Sequence, residues 1–208
     1  MQQTSHLDIG CNSNPRNPFD ASKLYGVDII DLETNDFNYH KCNVIFDALP
    51  FPDSSFESIS AFDFLEHVPR TATISNTGVF PFIHVMNEIY RVLKKGSFFA
   101  FTEHGLGPEG DPIFPLPWAD NQEMSFLLPL ENTNAILKEI GFQKIKIVET
   151  GDKYIAGYEK LIQKQPKSEK PTLGIHVIGG SSMHERSINS MRSIKENRTL
   201  PFEIVCEK

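Results

Sequence analysis

Short apolar runs recur along the first hundred positions, most of them closed by glycine or an acidic residue. Residues 7–9, 26–30, 42–46, 58–62 and 97–101 have the length and composition of buried strands. Between the last two the period changes. Phe82, Val85, Met86, Ile89, Tyr90 and Leu93 fall on one face of a helix that Lys94-Lys95-Gly96 should stop. A short helix is expected over 64–68, and the stretch 69–78 is polar and loop-like. Asn14-Pro15 and Asn17-Pro18 bias their neighbourhood away from helix, so the first crossover should be short and irregular.

Beyond residue 101 the pattern weakens. Residues 102–130 combine proline, glycine and aromatics with little periodicity, the composition of a lid or substrate-binding loop. A helix over 131–140 ends at Gly141, and 144–149 with 154–163 read as two strands turning at Gly151-Asp152, an antiparallel hairpin at a sheet edge. Residues 165–171 are polar and proline-flanked. After them come a strand (173–178), a turn at Gly179-Gly180-Ser181, a helix (185–197) and a strand (201–206). The expected organisation is a domain over 1–164, a linker over 165–171 and an incomplete βαβ-like unit over 172–208. One such unit cannot bury both faces of its strands alone.

Composition narrows the function. A net charge of -7 without a basic stripe argues against a nucleic-acid partner. Cys11, Cys42 and Cys206 are too few and too scattered for a disulfide framework, and neither they nor the histidines show metal-ligand spacing, so no metal is expected. With no membrane-length apolar run and no apolar leader, the expectation is a cytoplasmic protein without a membrane span.

The chemistry starts at His6-Leu7-Asp8-Ile9-Gly10-Cys11-Asn12-Ser13-Asn14-Pro15, a strand entering a tight turn. A pyrophosphate needs several glycines so that backbone N–H groups can close on it, and here Asn12 and Asn14 stand where glycines would. S-adenosylmethionine carries no phosphate, and Asn tolerates a left-handed backbone. The loop therefore suits that cofactor better than a dinucleotide, and an NAD-dependent dehydrogenase is disfavoured. Asp28 follows Gly10 by about 18 residues, near the spacing at which a carboxylate meets a ribose diol.

These stretches resemble the class I S-adenosylmethionine-dependent methyltransferases, the compact type found in polysaccharide clusters. The resemblance covers about residues 6–164. It is carried by residues 7–15, 26–29, 47–68 (DALPFPDSSFESISAFDFLEHV) and 87–103 (NEIYRVLKKGSFFAFTE). It implies a Rossmann-like α/β fold, a mostly parallel sheet with an antiparallel C-terminal hairpin. It also implies that Asp8, Gly10, Cys11 and Asn12 hold the methionine end of S-adenosyl-L-methionine, with Asp28 on the ribose and Ile29 against the adenine. Asp47 would reach the adenine amino group beside Ala48 and Leu49, and Ala61 and Phe62 would face the methionine part. The family's usual second glycine is replaced by Asn12, and its usual helix before the first strand is missing from this chain.

A methyl acceptor with a hydroxyl would benefit from a general base. Glu103 and His104, just past the fifth strand, are the expected candidates, with His67 behind them; Pro115, Leu116, Pro117 and Trp118 would form an apolar acceptor wall. The stretch SMRSIKENRTLPFEIV in the tail resembles the opening of family-2-type glycosyltransferases. It implies a front piece of a longer methyltransferase–glycosyltransferase chain with a sugar or glycan acceptor. A small lipid, quinone or amine metabolite is the alternative acceptor, and a non-catalytic cofactor-binding module attached to a glycosyltransferase is the alternative role.

Overall fold

A computed structural model describes residues 4–75, 77–164 and 183–208. The strand expected over 173–178, its following turn and the linker over 165–171 lie outside the described residues. Contacts group the chain into two compact units. The first is Met1–Glu103, Glu131–Val148 and Glu203–Lys208; the second is His104–Leu130 and Glu149–Phe202.

The first unit is built on a sheet of β1 (Ser5–Ile9), β2 (Lys23–Asp28), β3 (Asn38–Lys41), β4 (Phe56–Ala61), β7 (Leu93–Leu106), β8 (Gln143–Glu149) and β9 (Thr199–Glu207). Their order is β3-β2-β1-β4-β7-β9-β8. A short hairpin, β5 (Ala72–Ile74) with β6 (Thr77–Val79), occupies the insertion read as loop. β1 lies in the middle, parallel to β2 through Leu7↔Tyr25 and Asp8↔Gly26 and to β4 through Leu7↔Ile59. Leu7, Ile9, Ile59, Phe99 and Phe101 are fully buried, as continuous apolar runs in a parallel sheet require.

α1 (Pro81–Val92) forms where the 3.6-residue periodicity places it. Proline stands at its start, where a missing N–H costs nothing, and Phe82, Val85, Met86 and Ile89 are buried along one face. The helix ends at Val92 and β7 begins at once, so Gly96 is no helix stop. With φ +77° it sits in an irregularity of β7, where Phe56 pairs with Leu93 and Ser58 with Phe98. The first crossover holds no helix, as the two prolines dictate. α2 (Leu130–Ile140) matches its expected span, and Gly141, at φ +117°, follows it.

Three further expectations are corrected. The third strand is Asn38–Lys41, not 42–46. The apolar run after it folds as a turn, Phe46 and Asp47 N–H donating to the Asn43 carbonyl while Cys42 and Val44 are buried. Residues 154–163 form helix, α3 (Gly151–Lys164), in place of the hairpin's second strand. Tyr154, Tyr158 and Leu161 are spaced 4 and 3 apart, a helical period that outweighs their β-favouring side chains.

The antiparallel pair at that end of the sheet consists of β8 and β9. The third correction follows: the last strand, expected in a separate unit, lies between β7 and β8. Gly96 N–H donates to the Lys208 carbonyl and Lys208 N–H to the Ser97 carbonyl, at 2.7 and 3.0 Å. In the second unit α3 packs beside α4 (Met183–Lys195), where Ser190 donates to the Tyr158 hydroxyl at 3.0 Å. Among the described residues no helix is long and apolar enough to cross a membrane.

If β9 belongs to the sheet, removing residues 199–208 takes out an interior strand with Phe202, Ile204 and Cys206, all fully buried. The truncated chain should lose its near-ultraviolet circular dichroism and its cooperative thermal transition. A truncated chain that melts like the full one would contradict this topology.

Candidate functional site

Loops following β1, β2 and β4 gather at the carboxyl ends of adjacent parallel strands, the position at which open α/β sheets bind ligands. Asp8, at the end of β1, is 2 % exposed. Its Oδ1 accepts from the Ser60 hydroxyl at 2.5 Å and its Oδ2 from the Arg16 N–H at 2.8 Å. Because Ser60 gives its proton to Asp8, its oxygen must accept from His6 Nε2, 2.9 Å away. This network assigns the proton to Nε2 and leaves His6 Nδ1 to accept from Ser58 at 2.8 Å. Burial pushes the Asp8 carboxyl upward, while Ser60 and the Arg16 N–H pull it back. Asp8 therefore ties the crossover to the sheet, with both oxygens already engaged inside the protein.

Gly10 is the sharpest steric constraint. Its φ is +69°, and a Cβ there would lie 2.6 Å from Phe64 Cδ2 on the turn after β4. Asn12 also has a left-handed backbone, φ +50°, as its residue type allows. The Asn12 N–H donates to Asp28 Oδ2 at 2.9 Å and the Ile29 N–H to Oδ1 at 2.7 Å, so one carboxylate fastens both loops. Cys11 turns inward, 3 % exposed, its sulfur against the α-carbon of Gly26, where a Cβ would clash at 2.6 Å. Burial and the Asp8 charge push its thiol up to about 12. Cys11 thus shapes the loop from beneath.

Ile29 is 61 % exposed and Phe46 is 47 % exposed, unusual for large apolar side chains beside a buried loop. Asp47 and Ala48 are exposed too, whereas Leu49 is buried. The Leu49 N–H donates to Glu88 Oε2 at 2.7 Å, and Arg91 donates to Glu88, to Asp53 and to the carbonyls of Leu49 and Phe51. These contacts pin the loop after β3 to α1, and the Arg91 hydrogen bonds hold the Glu88 carboxyl below its usual range. Ala61 is fully buried at the end of β4. Phe62 is half-buried, with the Arg16 guanidinium 5.4 Å from its ring centre and 3.3 Å from Asp63.

Of the expected bases, Glu103 is fully buried and ion-paired with Arg70. His104 begins the second unit and is 2 % exposed, its ring 4.3 Å from Trp118 and 4.8 Å from Tyr154, centre to centre. Leu116 of the expected apolar wall is fully buried, and Trp118 packs on His104. His67 is exposed on its turn. Sequence reasoning missed Arg16, Glu66, Arg70 and the Glu88–Arg91 pair. Only the last had a readable signal, opposite charges three residues apart on a helix.

Residues 7–101 match the profile of a family described as "Methyltransferase domain". In sequence, no curated protein matches the chain. Among solved structures it resembles phosphoethanolamine N-methyltransferase 2 of Haemonchus contortus, in complex with S-adenosyl-L-methionine. The TM-score is 0.71 at 16 % identity, over 99 % of this chain and 48 % of that one. The chain thus spans about half the length of that relative. A putative sarcosine dimethylglycine methyltransferase from Galdieria sulphuraria gives a TM-score of 0.71 at 13 % identity, covering 100 % and 79 % of the two chains. The [4+2]-cyclase SpnF gives 0.62 at 17 %, covering 99 % and 75 %. The fold is the Rossmann-like methyltransferase fold.

His6 offers a test of the network beneath the loop. Burial lowers its pKa from 6.5 to about 4, so between those values the unfolded chain binds a proton that the folded chain does not. Stability should therefore fall as pH drops from 6.5 to 4. The His6→Gln variant, less stable at neutral pH, should show a shallower fall across that window. Parallel melting temperature profiles for the two proteins would contradict the assignment.

Proposed function

We propose that the chain is an S-adenosylmethionine-dependent methyltransferase whose donor site is formed by residues 10–12, 28–29, 47–49 and 61–62. The observation that carries this reading is the Asp28 carboxylate. Each of its oxygens accepts one backbone N–H and keeps a second lone pair, so the pair can take the two hydroxyls of a ribose. Ile29 and Phe46 offer exposed apolar surface for an adenine, and the exposed Asp47 offers an acceptor for its amino group. Asn12 at φ +50° keeps a side chain where a pyrophosphate would need bare backbone, which favours a ligand without phosphate.

The bound cofactor would supply a methyl group on a sulfonium, already strongly electrophilic. The chain's part is to hold it, align an acceptor and exclude water. Arg91 and Glu88 keep the adenine loop fixed, and Asp8 keeps the first loop in register with Phe64. Activity does not follow from the fold alone, since the cyclase shares it. What favours methyl transfer is the residue-level fit of the four loops together with the family match over 7–101.

For the acceptor we favour a small molecule with a nucleophilic nitrogen or oxygen. Two of the similar structures are named for phosphoethanolamine and for sarcosine and dimethylglycine, which are amines. The sugar acceptor rested on the tail's glycosyltransferase resemblance. The most telling part of that stretch, Pro201-Phe202-Glu203-Ile204-Val205, is here part of β9 in the methyltransferase sheet. A saccharide is left with the compact-type resemblance over residues 6–164 as its support.

Calorimetric titration with S-adenosylhomocysteine should show micromolar binding, weakened at least 100-fold in Asp28→Ala and less in Asp28→Asn, with no heat from NAD. Circular dichroism would confirm that the variants fold. A folded wild-type protein that ignores S-adenosylhomocysteine, or that binds NAD, would overturn the reading.

A further inference from the structure

The turn after β4 carries charges that the donor site does not use. Glu66 lies in a 3-10 turn, Leu65–His67, and is 5 % exposed; Glu103, near the end of β7, is 1 % exposed. Arg70 pairs with Glu103 Oε1, donates to the carbonyls of Leu65 and Val68 at 3.2 and 2.9 Å, and lies 3.8 Å over the Phe82 ring. Glu66 Oε2 and Glu103 Oε2 are buried and, among the described residues, have no hydrogen-bond partner. An ionised carboxylate can only accept, so each of these oxygens needs a donor from elsewhere, and leaving it without one is costly.

The charges around Glu66 narrow the donor. Asp63 shares its turn, Arg16 comes from the first loop, Glu103 from β7, and Arg70 follows the turn. Among the described residues Arg70 pairs with Glu103 and Arg16 with Asp63, which leaves the Glu66 carboxylate, once ionised, as a negative charge with no ion-pair partner. A single cation balances it; a neutral hydroxyl does not. The place is right for an acceptor, because Phe64 of this same segment sits against Gly10 of the donor loop.

We propose that Glu66 and Glu103 seat a protonated amine, with Glu66 as the group that takes its proton, which makes the chain an N-methyltransferase. This rests on the methyltransferase reading above. The ammonium R–NH3+ gives one proton to Glu66 Oε2. The freed nitrogen lone pair forms a bond to the methyl carbon as the carbon–sulfur bond breaks. That bond's electron pair stays on sulfur, which becomes a neutral thioether. The product leaves as R–NH2+–CH3, and the proton on Glu66 passes to water. Burial, with lesser pushes from Asp63 and Glu103 against the pull of Arg16, raises the Glu66 carboxyl to about 8, close to the pH at which a general base works best.

The test is transfer of labelled methyl from S-adenosylmethionine to ethanolamine, phosphoethanolamine, glycine and sarcosine, beside the hydroxyl counterparts ethylene glycol, glycerol phosphate and glycolate. Calorimetry of the same amines with S-adenosylhomocysteine present gives a readout independent of turnover. At least one amine should be methylated and no hydroxyl compound. The value of kcat/KM should rise about tenfold per pH unit below about 8 and then level.

Glu66→Gln should lose roughly 10²–10⁴-fold in rate, together with the pH limb and the amine's binding heat, while S-adenosylhomocysteine binding is unchanged. Glu66→Asp should keep the limb at a reduced rate. Methylation of hydroxyls alone, no amine methylated by protein that binds S-adenosylhomocysteine, or an active Glu66→Gln with its pH limb intact would each overturn the proposal. Absence of S-adenosylhomocysteine binding would instead remove the methyltransferase reading beneath it.

Discussion

A carboxylate buried at the end of a central strand must be answered, and the way Asp8 is answered organises the site. Ser60 on β4 gives it a hydroxyl proton and the Arg16 backbone gives it an N–H. Those two hydrogen bonds join β1, β4 and the first crossover at one point. His6 extends the chain of donors one step further, and burial keeps it neutral so that it can do so. With no helix to steady the crossover, the Asp8 contact holds it in the conformation that brings Asn12 to Asp28. Asp28 fastens the next loop in turn, through Ile29.

The same end of the sheet joins donor chemistry to acceptor chemistry. Gly10 lets the first loop approach Phe64 more closely than a Cβ would permit, and Phe64 opens the turn that carries Glu66. A substitution chosen to loosen the cofactor loop would therefore disturb the acid beside it. The buried Arg70–Glu103 pair gives that turn a fixed anchor on β7. Such pairs add little net stability, and their worth here lies in position, with Glu103 Oε2 and Glu66 Oε2 left as acceptors.

Much of this was legible in the sequence where a residue type is required by local geometry. Gly10, the prolines of the first crossover, the apolar face of α1 and the position of Asp28 all announce themselves through spacing and backbone preference. What was not legible depends on partners distant in the chain. The run over 42–46 looks like a strand, but β2 ends at Asp28 opposite Lys41, so the ladder offers that run no partner. Residues 154–163 have strand-favouring side chains at helical spacing, and the spacing prevailed. The tail's last strand reads as the start of something new because its partners, β7 and β8, lie about 100 and 55 residues earlier. Glu66 gave no sign, since burial of one carboxyl follows from packing and not from pattern.

The account's central claim is that one set of loops, after β1, β2, β3 and β4, binds the methyl donor. The most direct measurement is a two-dimensional amide NMR titration of the labelled protein with S-adenosylhomocysteine. Saturable shifts concentrated at Gly10, Cys11, Asn12, Ile29, Asp47, Ala48 and Phe62, and small elsewhere in the sheet, are what the account predicts. Shifts centred on another part of the chain, or none from a protein whose spectrum shows it folded, would contradict it.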